Sequence, residues 1–215
     1  MTDVAPALQL EPEPPEAAAA CGEGLPVVRR FAADLAARGV ELGLIGPAEP
    51  SRLWSRHLVN SAVLAPLLPQ GSRVADVGSG AGLPGLVVAA VRPDLALTLI
   101  EPMERRVAWL EEEAARLGLG NVTVVRARAE EYRGEPFDVV TARAVGALAK
   151  LLPLVAPLAG PGGRLALLKG ASVDAEVARA EKVIRRLRLH DARVETVGSG
   201  MASAETRVFV ATLPV

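Results

Sequence analysis

The chain has 215 residues, half of them apolar, which is enough to bury one well-formed core and too few for two full domains. A formal net charge of −1 excludes nucleic-acid binding through a global excess of Lys and Arg, so any RNA contact must come from a local patch. The single cysteine, Cys21, excludes an internal disulfide and a cysteine cage for a metal, and no apolar run could span a bilayer without charges or prolines, so a soluble protein of a reducing cytoplasm is expected.

Residues 1–22 are rich in Pro, Glu and Ala with little apolar periodicity, and are predicted to form a disordered or loosely attached leader. From Leu25 to Arg38 the apolar residues Val27, Val28, Phe31, Leu35 and Ala36 recur at helical spacing, with Gly39 as the stop. Pro47 to Leu68 predicts further helix, with Leu53, Leu58, Val63, Leu64 and Leu67 on one side and Arg52, Arg56, His57 and Asn60 elsewhere. Residues 23–70 thus form an N-terminal helical cap, and residues 71–215 a core that it joins in one structural domain.

The core begins at Arg73 to Val77, a buried strand that breaks into G-S-G-A-G-L-P-G and restarts as a helix over Leu83 to Val91. Leu95 to Ile100 is a second strand ending at Glu101, and Met103 to Leu117 is a helix stopped by Gly118. Strands over Asn121 to Val125, Phe137 to Thr141 and Gly163 to Leu168 alternate with helices over Leu148 to Leu158 and Val173 to Leu187. Ala192 to Val197 and Thr206 to Leu213 close the chain as a hairpin. This order predicts an α/β, Rossmann-like fold with a mostly parallel seven-stranded sheet, and the terminal hairpin separates methyltransferase-like sheets from plain dinucleotide-binding ones.

Two glycine patterns overlap in the turn: D-x-G-x-G-x-G from Asp76, and G-x-G-x-x-G from Gly80. The second would suit a pyrophosphate at the helix start, as in a nicotinamide-dependent oxidoreductase. Asp76 favours the first, because a carboxylate there would repel a pyrophosphate but face the ammonium of S-adenosylmethionine; its other reading is a cap for backbone amides of the turn. Glu101, 25 positions on, stands where a carboxylate accepts ribose hydroxyls, or where it pairs with Arg105 or Arg106. Glu130, in Ala129-Glu130-Glu131, is either an adenine-edge contact or an acid at a helix start. Arg143, in T-A-R-A after the fourth strand, borders the methyl-acceptor side of such a site, or forms a surface salt bridge. Arg52, Arg56, His57 and Lys169 offer a local basic rim for phosphates, each with the alternative of a solvated or packing side chain. His57 has no second histidine at ligand spacing, so no metal is expected.

The ordered motifs G-L-I-G-P, R-L-W-S-R-H-L-V-N-S, V-A-D-V-G-S-G-A-G-L-P-G, R-A-E-E, T-A-R-A and L-L-K-G resemble the RsmG, or GidB, family of bacterial small-subunit ribosomal RNA guanine-N7 methyltransferases. G-L-I stands where many members carry Asn-Leu-Thr. The resemblance implies a class I S-adenosylmethionine-dependent enzyme, releasing S-adenosylhomocysteine, that methylates N7 of a guanosine in the 530 loop of 16S ribosomal RNA. By motif it implies a donor site of Asp76, Gly78, Gly80, Leu83, Glu101, Ala129, Glu130 and Arg143. Guanine N7 carries a free lone pair, so no general base is needed, and the expected catalytic groups are Arg143 and Lys169, holding a phosphate or guanine O6. Arg52, Arg56, His57 and Lys169 are expected to seat the RNA. The near-neutral charge leads us to expect RNA already shaped by ribosomal proteins, in the small subunit or an assembly intermediate, bound by a monomer. The alternatives are an RNA-binding module with a vestigial donor pocket and the nicotinamide-dependent oxidoreductase.

Overall fold

The computed structural model describes residues 10–143, 145–201 and 205–215. Ala144 of T-A-R-A and residues 1–9 of the leader lie outside them. One sheet contains β1 (Arg73–Val77), β2 (Ala96–Ile100), β3 (Val122–Val125), β4 (Phe137–Arg143), β5 (Ala159–Lys169), β6 (His190–Val197) and β7 (Thr206–Thr212). The order is β3-β2-β1-β4-β5-β7-β6, and every pairing is parallel except the two made by β7. The chain steps outward in one direction from β1 to β2 and β3, then in the other from β1 to β4, so a crevice opens beyond the carboxyl ends of β1 and β4. Register puts Val77 opposite Ala142 at that point.

Alternation along the strands builds a core on each face. Val74 of β1 packs with Val88 and Ala89 of α4 (Gly85–Val91) and with Leu64 and Leu68. Ala75 and Val77 join the opposite cluster with α6 (Leu148–Val155) and α7 (Val173–Arg186). On the α4 face, α5 (Glu104–Leu117) carries Trp109 and Leu110 into a cluster with Phe31 and Leu35 of α2 (Leu25–Arg38). Gly118 ends α5 at φ 72°, the left-handed conformation that lets a glycine stop a helix.

The cap differs from the uniform helix expected over Pro47 to Leu68. It is a chain of short turns: Pro50–Arg52, a π-helical stretch Trp54–Val59, α3 (Asn60–Ala62) and Ala65–Leu67. Pro50 and Pro66 each open a new turn because they carry no N–H to continue the previous one, and the buried Ser61 hydroxyl donates to His57 O at 2.6 Å.

The leader expectation is corrected from Leu10 onward. Glu11 N–H donates to Pro50 O, its carboxylate accepts from Ser55 N–H at 3.0 Å, and Glu13 holds Arg29. These anchors deliver α1 (Glu16–Cys21) to the cap, where Ala17 and Cys21, one helical turn apart, are buried. Composition alone suggested disorder, but small side chains at helical spacing suffice to pack. No helix among the described residues is long and apolar enough to cross a membrane.

Candidate active site

The glycine turn is fixed from behind. Asp76 is fully buried on β1 and its Oδ2 accepts the Gly85 N–H at 3.0 Å, while its own carbonyl accepts the Ser79 hydroxyl. Gly85 is obligatory, because a Cβ there would fall 2.3 Å from Leu99 and 2.7 Å from the Asp76 carboxylate. Burial pushes the Asp76 carboxyl up to about 7, against the pull of the Gly85 and Ser79 donors and the Arg143 charge. The indole N–H of Trp109 donates to Ala81 O at 3.0 Å and ties α5 to the turn. Asp76 Oδ2 therefore orients the turn, and the carboxylate lies behind the residues that line the cavity in front of it.

That cavity has a volume of about 530 Å³, within the ordinary range for small-molecule sites. Its floor is Gly78 to Ala81 and Leu83, one side is Glu101 to Met103, and the other is Arg143 and Val145. The cap closes it with Leu44, Ile45, Glu49 and His57. Gly80, at φ 57°, would place a Cβ against nothing nearer than Gly78 O at 3.7 Å, so the turn presents bare backbone to the cavity. Glu101 is 2% exposed, and its two oxygens accept the N–H groups of Gly80 and Met103, each at 3.0 Å. A carboxylate so oriented keeps lone pairs for ligand hydroxyls.

Arg143, His57 and Glu49 build the remaining wall, and Arg52 supports it from outside the cavity lining. Arg143 Nη2 meets Nδ1 of His57, His57 Nε2 meets Oε2 of Glu49, and Arg52 pairs with the same Glu49 carboxylate. An arginine only donates, so His57 Nδ1 is the acceptor; the ring is neutral and its single proton lies on Nε2, donated to Glu49. Burial and then the Arg143 charge push the His57 pKa down, which keeps it in that form. Arg52 and His57 hold the Glu49 carboxyl down at about 2, and burial lowers Arg143 to about 10, still protonated at neutral pH.

Beyond this wall lies a second cavity of about 680 Å³, bordered by His57 and Arg143 and lined further by Arg56, Asn60, Lys169 and Glu205 to Arg207. Arg56 is 61% exposed and reaches Glu49 only at 3.9 Å, whereas Arg207 is paired with Asp174. The Lys169 ammonium lies 2.8 Å from both Gly146 O and Glu176, and Glu176 also accepts the Leu148 N–H. Lys169 thus ties the loop after β4 to α7, whose Glu176 in turn holds the start of α6.

The GidB family, described as rRNA small subunit methyltransferase G, matches residues 25–205. The chain belongs to this family. It is 58% identical to ribosomal RNA small subunit methyltransferase G of Clavibacter michiganensis, over 93% of this chain and 94% of the relative. Identity to the Leifsonia xyli protein of the same name is 55%, over 95% and 98%. Among solved structures, a SAM-dependent methyltransferase from Aquifex aeolicus superposes with a TM-score of 0.56 at 23% identity, covering 76% of this chain and 93% of the other. A predicted O-methyltransferase from Agrobacterium tumefaciens gives 0.57 at 20% identity, covering 72% and 81%. These likenesses are of fold, and the fold is that of the class I S-adenosylmethionine-dependent methyltransferases. Membership in the GidB family sets the nicotinamide alternative aside.

Of the residues singled out from this GidB sequence, the structure gathers Gly78, Gly80, Leu83, Glu101, His57 and Arg143 on the first cavity, and Arg56, His57, Arg143 and Lys169 on the second. Ala129 and Glu130 line neither; Ala129 packs with the core under α6, and Glu130 is exposed on the turn after β3. Arg52 also lines neither cavity and pairs with Glu49. Sequence reasoning missed Glu49, Leu44 and Ile45, the last two within the motif G-L-I-G-P, and Met103 beside Glu101.

Proposed function

We propose that this chain transfers a methyl group from S-adenosylmethionine to N7 of a guanosine in the 530 loop of 16S ribosomal RNA, presented within the small subunit or an assembly intermediate. The observation that carries the reading is the pair of cavities with a shared wall: one cradled by a glycine turn and a strand-end carboxylate, the other basic, with His57 and Arg143 bordering both. Membership in the rRNA small subunit methyltransferase G family supplies the acceptor. One reduced cysteine and a net charge of −1 fit a cytoplasmic monomer that meets RNA through a local surface.

The first cavity suits the donor. Glu101 would accept the ribose hydroxyls, Gly78 to Ala81 would offer backbone to the amino-acid portion, and Leu44, Ile45 and Met103 would cover the apolar adenine faces. The donor supplies a methyl group on a positively charged sulfur. Guanine N7 has an unprotonated lone pair and attacks without losing a proton, so the protein need only align the two reactants and exclude water. Arg143, fixed by His57 and by Arg56 O at 3.3 Å, presents a protonated donor group between the two cavities, where guanine O6 would lie. Lys169 positions the loop after β4, and Arg56 is the cation available to an RNA phosphate. The test is to incubate the protein with labelled S-adenosylmethionine and small subunits lacking the modification, then map N7-methylguanosine. Label at one guanosine of the 530 loop is the expected result; subunits left unlabelled would overturn the reading.

A further inference from the structure

Adenine also carries an N7 lone pair, so alignment against the donor cannot by itself select guanine. Selection must come from the other polar edges. Guanine presents O6 as an acceptor and N1–H with N2–H₂ as donors, whereas adenine presents the reverse, an N6 amine and an N1 lone pair.

The second cavity carries that complementarity. Its near wall is Arg143, a donor that cannot lose its charge at neutral pH, and among its lining residues the one acid is Glu205. A pocket for phosphate gains nothing from a carboxylate, and two of its cations, Lys169 and Arg207, are already neutralised by Glu176 and Asp174. Both groups line this one cavity from strands two places apart in the sheet. Arg143 of β4 lies opposite Leu168 of β5, which lies opposite Val208 of β7, a lateral step of roughly 10 Å for two strand spacings, and Glu205, three residues before Val208, stands roughly another 10 Å along the strand direction. Glu205 stands immediately before β7, beyond the carboxyl end of β5, and its neighbour Thr206 takes a hydrogen bond from Asn60 of the cap. That bond anchors the strand end carrying Glu205 against the same cap segment that supplies His57.

Resting on the function proposed above, we propose that Glu205 is the specificity residue for guanine: its carboxylate accepts N1–H and N2–H₂ of the base while Arg143 donates to O6 and N7 faces the donor cavity. The base lies across the pocket with its pairing edge engaged by protein, so it enters unpaired and unstacked. An adenine in this orientation would set its N6 amine against Arg143 and its N1 lone pair against Glu205, leaving both protein groups unpaired.

Inosine lacks only the 2-amino group of guanosine and so tests the contact directly. Small subunits reconstituted with guanosine or inosine at the target position are methylated by the wild-type protein, Glu205→Ala and Glu205→Gln, with S-adenosylhomocysteine binding and thermal melting measured alongside. The wild type is expected to favour guanosine by at least roughly tenfold in kcat/KM, the size of a lost hydrogen bond to a charged group. Glu205→Ala should lose activity on both substrates, more on guanosine, which loses two contacts, than on inosine, which loses only that of N1–H, and so abolish the preference, and Glu205→Gln should fall between. S-adenosylhomocysteine binding and melting should not move, because Glu205 does not line the donor cavity. A wild type indifferent to the 2-amino group, or a Glu205→Ala variant that keeps the preference or slows both substrates alike, overturns the proposal. A wild type that methylates no guanosine at N7 defeats the functional reading itself.

Discussion

The neutral His57 at the shared wall makes a prediction that separates its two ring nitrogens. Nδ1 accepts from Arg143 and Nε2 donates to Glu49, so an asparagine, whose amide oxygen falls near Nδ1, keeps the Arg143 arm and loses the Glu49 arm. A glutamine reaches the Nε2 position and does the opposite. A hydrogen bond to a charged group contributes about 1.5–3 kcal/mol, and at 1.4 kcal/mol per decade the loss of the Arg143 arm corresponds to roughly 10- to 150-fold in rate. His57→Gln should therefore fall by that factor in single-turnover methyl transfer to small subunits, while His57→Asn stays within a few-fold of wild type. Equal losses in the two variants, or a full-rate His57→Gln, would refute both the assigned tautomer and the role of the wall. The same geometry fixes the acid limb. Burial and Arg143 depress the folded-state pKa, so stability from neutral His57 is present above the ordinary value near 6.5 and is lost as pH falls toward the depressed one.

Three further outcomes follow from other parts of the molecule. Asp76→Asn keeps an oxygen for the Gly85 N–H and should bind S-adenosylhomocysteine within a few-fold of wild type, whereas Asp76→Ala should cost about 1–3 kcal/mol in denaturant melts; a hundredfold binding loss in a fully folded Asp76→Asn would instead place the carboxylate on the ligand. Glu113 of α5 is buried beside Asp34 of α2, with Arg38 and Arg116 nearby, and burial followed by the Asp34 charge raises it from 4.5 to about 7. The fold binds that proton more tightly than the unfolded chain does, so this contribution is full below about 4.5 and declines by about 3 kcal/mol as pH rises through 7. Glu113→Gln should flatten that pH profile and exceed wild-type stability at pH 8; an unchanged slope counts against it. Arg56→Ala should weaken subunit binding and reduce the salt slope by about one while leaving the single-turnover rate at saturation intact, and a slope identical to wild type would remove Arg56 from the phosphate contacts.

What could be read without coordinates was whatever depends on neighbours in the chain. The periodicity of Leu25 to Arg38 and the V-A-D-V strand with its glycine break place α2 and β1 at the ends observed, because helix period and glycine permissiveness are local properties. The wall between the cavities is not local: Arg143 and His57 are 86 residues apart in sequence, and nothing in either segment announces the other. Glu49 is harder still. In E-P-S-R it reads as a solvated acid near Arg52, and only the fold turns it toward His57. The two readings of Asp76 also needed coordinates, since whether a strand-end carboxylate points back at the helix or forward at a ligand depends on how closely α4 packs. Gly85, pressed against Leu99 and Asp76, brings the helix near enough for the first.

The distribution of charge explains how a chain with net charge −1 can serve an RNA substrate. In the second cavity Lys169 and Arg207 are neutralised by Glu176 and Asp174, and Arg143 leans on a neutral histidine whose far side is anchored by Glu49. Three cations are thereby fixed in geometry, and for two of them, Lys169 and Arg207, the paired acid cancels the field the cation would project at long range. N7 alkylation asks for alignment and for no proton transfer, so rigid cations at the wall serve the reaction better than a diffuse positive surface would. On the function proposed above, attraction to RNA would rest on groups such as the exposed Arg56 and on RNA already folded, which is why the test substrate is the small subunit. Naked 16S RNA should react more slowly than subunits at equal concentration, through a higher KM with kcat little changed; equal KM values for both would show that the protein needs no preformed RNA surface.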